Sequence, residues 1–165
     1  MSPRLKIGDV FLVPLDEIRV GVGQIVAKYL SAYYLATFER VFERDATDVD
    51  EALRSPVVFL ALSLDAKLAL GHWPILANVQ VSEHIPLPAF KEAFGSPDRI
   101  DVVDFSGTLR RSATDAEASA VRNRTVIAPV VLEKAMRARL GLEPWLEHYD
   151  HLVPDLMHTT DRLFE

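Results

Sequence analysis

The chain has 165 residues, 49% hydrophobic and 25% charged, enough apolar material for a buried core and too much for wholesale disorder. It has no cysteine, which excludes disulfide frameworks, thiolate metal sites and cysteine nucleophiles. A formal charge of −6 repels phosphate backbones and argues against nucleic acid as a partner.

Ile7 to Leu15 is apolar and β-branched between turn formers, and it predicts a strand ended by Pro14. Asp16-Glu17 reads as a tight connection into Ile18 to Val26, where Ile18, Val20 and Val22 alternate with Arg19, Gly21 and Gly23. Two glycines on one face predict a bend or a close approach of another element. Tyr29 to Phe42 is compatible with a strand or a helix; its tyrosines, phenylalanines and threonine favour a strand after a turn at Leu30-Ser31-Ala32. Asp48, three residues before Glu51, is a capping signal for a short helix that Pro56 stops.

Val57 to Leu64 predicts a strand buried on both faces. Lys67 to Leu70 and Ile75 to Val81 read as further strands around Gly71-His72-Trp73-Pro74. After the Pro86 and Pro88 loop, Ala89 to Phe94 followed by Gly95 predicts one or two helical turns, and Arg99 to Phe105 a strand closed by Ser106-Gly107. Thr114 and Glu117 form a capping box. Pro129 and Gly141 bracket a helix over Val130 to Leu140. In the tail from Glu143 to Glu165, Trp145, Leu146, Tyr149, Leu152 and Leu156 have helix-like spacing interrupted by Pro154. Strands first and helices later make an α+β fold: a strongly bent antiparallel sheet over about residues 9–81, with helices concentrated after Pro86. No repeat or linker divides residues 1–165, so a single domain is expected.

No apolar run reaches the ~20 residues needed to cross a bilayer, and Met1 to Lys6 has no apolar stretch behind its charges. A cytoplasmic protein without a membrane partner is the expectation.

Searching for chemistry yields little. Gly21-Val22-Gly23-Gln24-Ile25-Val26 starts like a dinucleotide fingerprint, but valine replaces the third glycine and no helix follows to receive a pyrophosphate. Asp65-Ala66-Lys67 resembles half of a metal-dependent nuclease core without its upstream acid. Asp101 and Asp104 are separated by an odd number along a strand and point to opposite faces. His148, His151, Asp155 and His158 would approach one face of an unbroken helix, as a metal requires, but Pro154 falls within the set. A solvated polar face is the plainer reading, and no cofactor or catalytic residue is expected.

Two features suit recognition. Glu39, Glu43, Asp45, Asp48, Asp50 and Glu51 outnumber Arg40 and Arg44, which makes either a solvated rim or a patch that steers a basic partner. Tyr29, Tyr33, Tyr34, Phe38 and Phe42 read as core, with tyrosines that serve as anchors where they are exposed.

Several segments, in order, carry a family resemblance: Lys6 to Leu15, Gly21 to Val26, Trp73 to Val79, Ile85 to Pro88, Val102-Val103-Asp104, Arg110-Arg111, Ala113 to Ala118 and Ala128 to Ala135. Over about residues 6–140 the chain resembles the immunity protein 26 family of bacterial polymorphic toxin systems. The resemblance implies a small non-enzymatic protein that binds and neutralises a cognate toxin, often a nuclease and hence basic. It also implies a strand-rich half similar to a partly closed SH3-like barrel. The expected contact residues are Asp16 and Glu17 in the first hairpin, Asp45, Asp48, Asp50 and Glu51 after the third strand, and Tyr33 or Tyr34 as anchor. A metal-dependent hydrolase using His148, His151 and His158, and an RNA-binding barrel, are the alternatives.

Overall fold

The computed structural model describes residues 4–164. Five strands, β1 (Asp9–Pro14), β2 (Arg19–Tyr29), β3 (Ala32–Glu43), β4 (Val57–Ser63) and β5 (Ile75–Asn78), form an antiparallel sheet in the order β4-β3-β2-β1-β5. A second, three-stranded sheet orders β6 (Phe90–Phe94), β7 (Ser96–Val103) and β8 (Arg110–Ser112) as β6-β7-β8. The helices are α1 (Val49–Arg54), α2 (Ala66–Ala69), α3 (Asp115–Ala120), α4 (Pro129–Arg139) and α5 (Thr160–Leu163). The α+β class and the amino-terminal antiparallel sheet are as expected, and the longest helix, α4, comes late. The second sheet is not foreseen in the sequence reading.

Both faces of the first sheet are covered, which is why β1 and β4 read as continuous apolar runs. Phe11, Val13, Ile25 and Leu35 pack on one side with Leu132 and Met136 of α4 and with Tyr149 and Leu152 of the tail. On the other side Val10, Leu12, Val20 and Val22 pack with Ala52 of α1. Tyr34, Ala36, Leu60 and Leu62 meet Phe90 and Phe105 of the second sheet region. The sheet does not close: β4 and β5 are its edges and do not pair with each other, so the SH3-like barrel is corrected to an open, doubly covered sheet.

Gly21 and Gly23 lie opposite a bulge, where pairing skips from Gly21↔Val41 to Gly23↔Thr37, at the predicted bend. Their reason is close packing. A Cβ on Gly23 would overlap the Phe11 ring, which is itself stacked on Trp73 with centroids 5.4 Å apart, and would press on Ala36 O at 3.1 Å. A Cβ on Gly21 would clash only with the terminal methyl of Met136, the end of a flexible side chain, and would touch Leu15 at an ordinary 3.6 Å. Gly23→Ala is therefore expected to lose about 1–3 kcal/mol in urea unfolding by overpacking, and Gly21→Ala clearly less. Equal losses at both sites would contradict this packing argument.

Two local readings change. Lys67 to Leu70 is not a strand: Ala66–Ala69 turns as α2, burying Leu68 and leaving Leu70 exposed. Alternation over four residues does not distinguish these periods, and alanine favours the helix. Ala89 to Phe94 is not helical: Phe90–Phe94 pairs with β7 as β6, and Gly95, at φ 76°, turns the hairpin. A left-handed glycine serves a helix end and a strand turn alike, so the sequence signal was shared. The helix-like spacing of the tail takes the form of 3-10 turns at Glu147–Leu152 and Pro154–Leu156, followed by α5, interrupted at Pro154 as expected.

The capping signals hold. Asp48 accepts from Glu51 N at the start of α1, and Thr114 and Glu117 form the capping box of α3.

Candidate partner-binding surface

The acidic candidates come from two parts of the chain that the sheet brings together. Register pairs Arg19 at the start of β2 with Glu43 at the end of β3, and Arg44 N donates to Ile18 O at 2.8 Å. The Asp16-Glu17 turn therefore lies beside the Glu43–Asp48 segment that leads into α1. Residues 16–54 hold eight carboxylates, most of them at this end, against Arg19, Arg40, Arg44 and Arg54 and a single lysine, Lys28, at the opposite hairpin.

These carboxylates divide by role. Asp16 accepts from Arg19 N at 2.7 Å, Arg19 Nε at 2.7 Å and Ile18 N at 3.0 Å, so it builds the hairpin turn. Asp48 caps α1, and Glu51 pairs with Arg40 at 2.6 Å. Glu17, Glu39, Glu43, Asp45 and Asp50 make no side-chain hydrogen bond or ion pair among the described residues. Ile18, 62% exposed, stands in the turn next to Glu17 and, through the Arg44 N–Ile18 O bond, beside Glu43. Ile18, Glu39 and Glu43 are surface candidates that were not among the expected contacts. Only the turn geometry, read together with the register, identifies Ile18.

Donation from Arg19 backbone and side chain, then from Ile18, holds the Asp16 carboxyl down at about 2. A pKa lowered on folding stabilises the fold above the ordinary value of 3.8 and ceases to do so as pH falls through about 2. A carboxyl-carbon NMR titration should place the Asp16 midpoint near that lower value and show Ile18 and Arg19 amide shifts following it. A midpoint at the ordinary value would mean the turn bonds are not populated.

The two tyrosines do not share this surface. Tyr34 is fully buried and is corrected as an anchor: its hydroxyl donates to Phe105 O at 2.7 Å and accepts from Arg124 Nη1 at 2.6 Å. Burial pushes its phenol well above the usual range. Tyr33, half-buried, has Lys28 5.6 Å from its ring centroid near the opposite end of β3. Ten residues of strand, about 33 Å, separate it from Glu43.

Among the described residues no group of three or more histidines and carboxylates is placed to hold a metal ion. His148, His151 and His158 line a cleft instead, the first two on a 3-10 turn and the third beyond Pro154. The described residues therefore give no support to the hydrolase alternative, and the open sheet gives none to an RNA-binding barrel. Asp101 is buried against Arg110 at 3.0 Å, and Asp104 accepts from Leu109 N and Ser106 Oγ to hold a turn. Neither carboxylate faces the other.

Compared with known protein families, residues 6–97 match Immunity protein 26, more than half of the chain. The chain belongs to the Immunity protein 26 family. Comparison with curated proteins and with solved structures finds no match. The Immunity protein 26 match spans β1 to β6 and ends at the start of β7. It contains the whole acidic end and both tyrosines. The later segments of the resemblance, including Arg110-Arg111 and α4, lie outside it. Among the described residues no helix is long and apolar enough to cross a membrane.

Proposed function

We propose that this Immunity protein 26 family member binds a cognate toxin in the bacterial cytoplasm and neutralises it by contact alone, without catalysis. The observation that carries the reading is the acidic end, where the first hairpin turn and the approach to α1 present unpaired carboxylates around exposed Ile18. A basic partner fits that charge, and nucleases are basic because they bind phosphates. Ile18 is the proposed apolar anchor, and the surrounding carboxylates the polar rim. Tyr33 remains a candidate for a separate contact at the far end of β3.

The test is co-expression with the toxin encoded by the neighbouring gene. Growth should be restored by the wild-type chain, and Ile18→Asp should reduce protection while leaving the fold intact by circular dichroism. Growth arrest despite a soluble, folded wild-type protein would overturn the immunity reading for that toxin.

A further inference from the structure

A cleft of about 600 Å³ lies between the edge of β4, β6, the segment after α3 and the tail. Its volume is in the range of small-ligand sites. Its walls are apolar, with Leu62, Phe90 and Leu152 among them. Every charged or titratable side chain that lines it is basic: Lys91, Arg122, His148, His151 and His158. In a chain with a net charge of −6, no carboxylate lines this cleft.

The wall that carries Arg122 is fixed at the backbone. Lys91 N donates to Arg122 O at 2.9 Å, and isolated bridges join Lys91 with Asn123 and Ser63 with Ile127. Lys91 Nζ is held by Ala118 O at 2.6 Å, which leaves it further donors. The Arg122 side chain is exposed and makes no hydrogen bond or ion pair among the described residues. The three imidazoles likewise have no hydrogen-bond partner among them. Donors are thus gathered around an apolar cavity, and apart from Lys91 Nζ their side chains have no acceptor among the described residues.

We propose that this cleft binds a small amphiphilic anion, a carboxylate on an apolar body. The apolar walls suit the body and are a poor setting for bare inorganic phosphate. The guanidinium and ring N–H groups suit the head and give nothing to an apolar cation. The site lies apart from the acidic end and stands whether or not the toxin-binding reading holds.

Octanoate, octanol and octylammonium share one chain length and differ in the head group. In a proton–carbon NMR titration of the full chain, octanoate should saturably shift the ring resonances of His148, His151 and His158. His72 and His84, which lie outside this cleft, serve as internal controls. Octanol and octylammonium should bind at least tenfold more weakly. Arg122→Glu should weaken octanoate at least tenfold and Arg122→Gln in the same direction, both with unchanged melting temperature, whereas Arg139→Glu should leave it unaltered. Octanol binding as tightly as octanoate, shifts spread over all five histidines, or full affinity in Arg122→Glu would each overturn the proposal.

Discussion

Changing Glu17, Glu43, Asp45 and Asp50 together to their amides should slow association with the cognate toxin about tenfold at low salt, the lower end of what steering provides. Dissociation should change much less. The four are chosen because none makes a side-chain hydrogen bond or ion pair among the described residues. Glu51 is a poorer choice, since amide substitution there also weakens the Arg40 pair, and Asp48 is left in place because it caps α1. Rim charges act on encounter and are screened over about 8 Å at physiological ionic strength. The wild-type association rate should therefore fall steeply with salt and the variant's barely at all. Stopped-flow association at two salt concentrations separates these cases. Equal rates at low salt would show that the acidic end does not guide the toxin.

Arg124→Met should destabilise the protein by about 3 kcal/mol, given charged hydrogen bonds of about 1.5–3 kcal/mol and a desolvated cation–π contact of about 2 kcal/mol. The guanidinium is layered 3.8 Å from the Tyr29 ring centroid and 4.6 Å from that of Phe90. It donates to Tyr34 Oη and Phe105 O, each at 2.6 Å, and to Asp104 O at 3.3 Å. One side chain thereby joins β2 and β3 of the first sheet to β6 and the end of β7. Methionine keeps the apolar stem but removes every donor, so the loss isolates the guanidinium. Arg124→Lys should rescue little, because an ammonium cannot fill a planar slot between two rings while bonding in plane. Urea unfolding measures the loss, and hydrogen exchange locates it: amides of β6 and β7 should lose protection before those of β2 and β3. A loss under about 0.5 kcal/mol with unchanged exchange would remove Arg124 as the clamp.

These two expectations differ in how far the sequence alone could have led to them. The acidic segment is legible in the sequence as either a solvated rim or a steering patch, and the Asp48 cap and the Thr114–Glu117 box form where the sequence places them. Such signals lie within three or four residues, and local hydrogen bonds decide them wherever the segment ends up. The apolar runs of β1 and β4 are also legible, because burial on both faces leaves little room for polar residues. Decisions between distant segments were not. Only the β2–β3 register, with Arg19 beside Glu43, joins the Asp16 turn to the approach to α1 and leaves Ile18 exposed at their junction. Tyr33 and Tyr34 are neighbours of one residue type. A strand's alternation sends them to opposite faces, and what covers each face decides which is buried. Arg124 has no local signature, since its partners lie in β2, β3, β6 and after β7 and meet only when the two sheets pack.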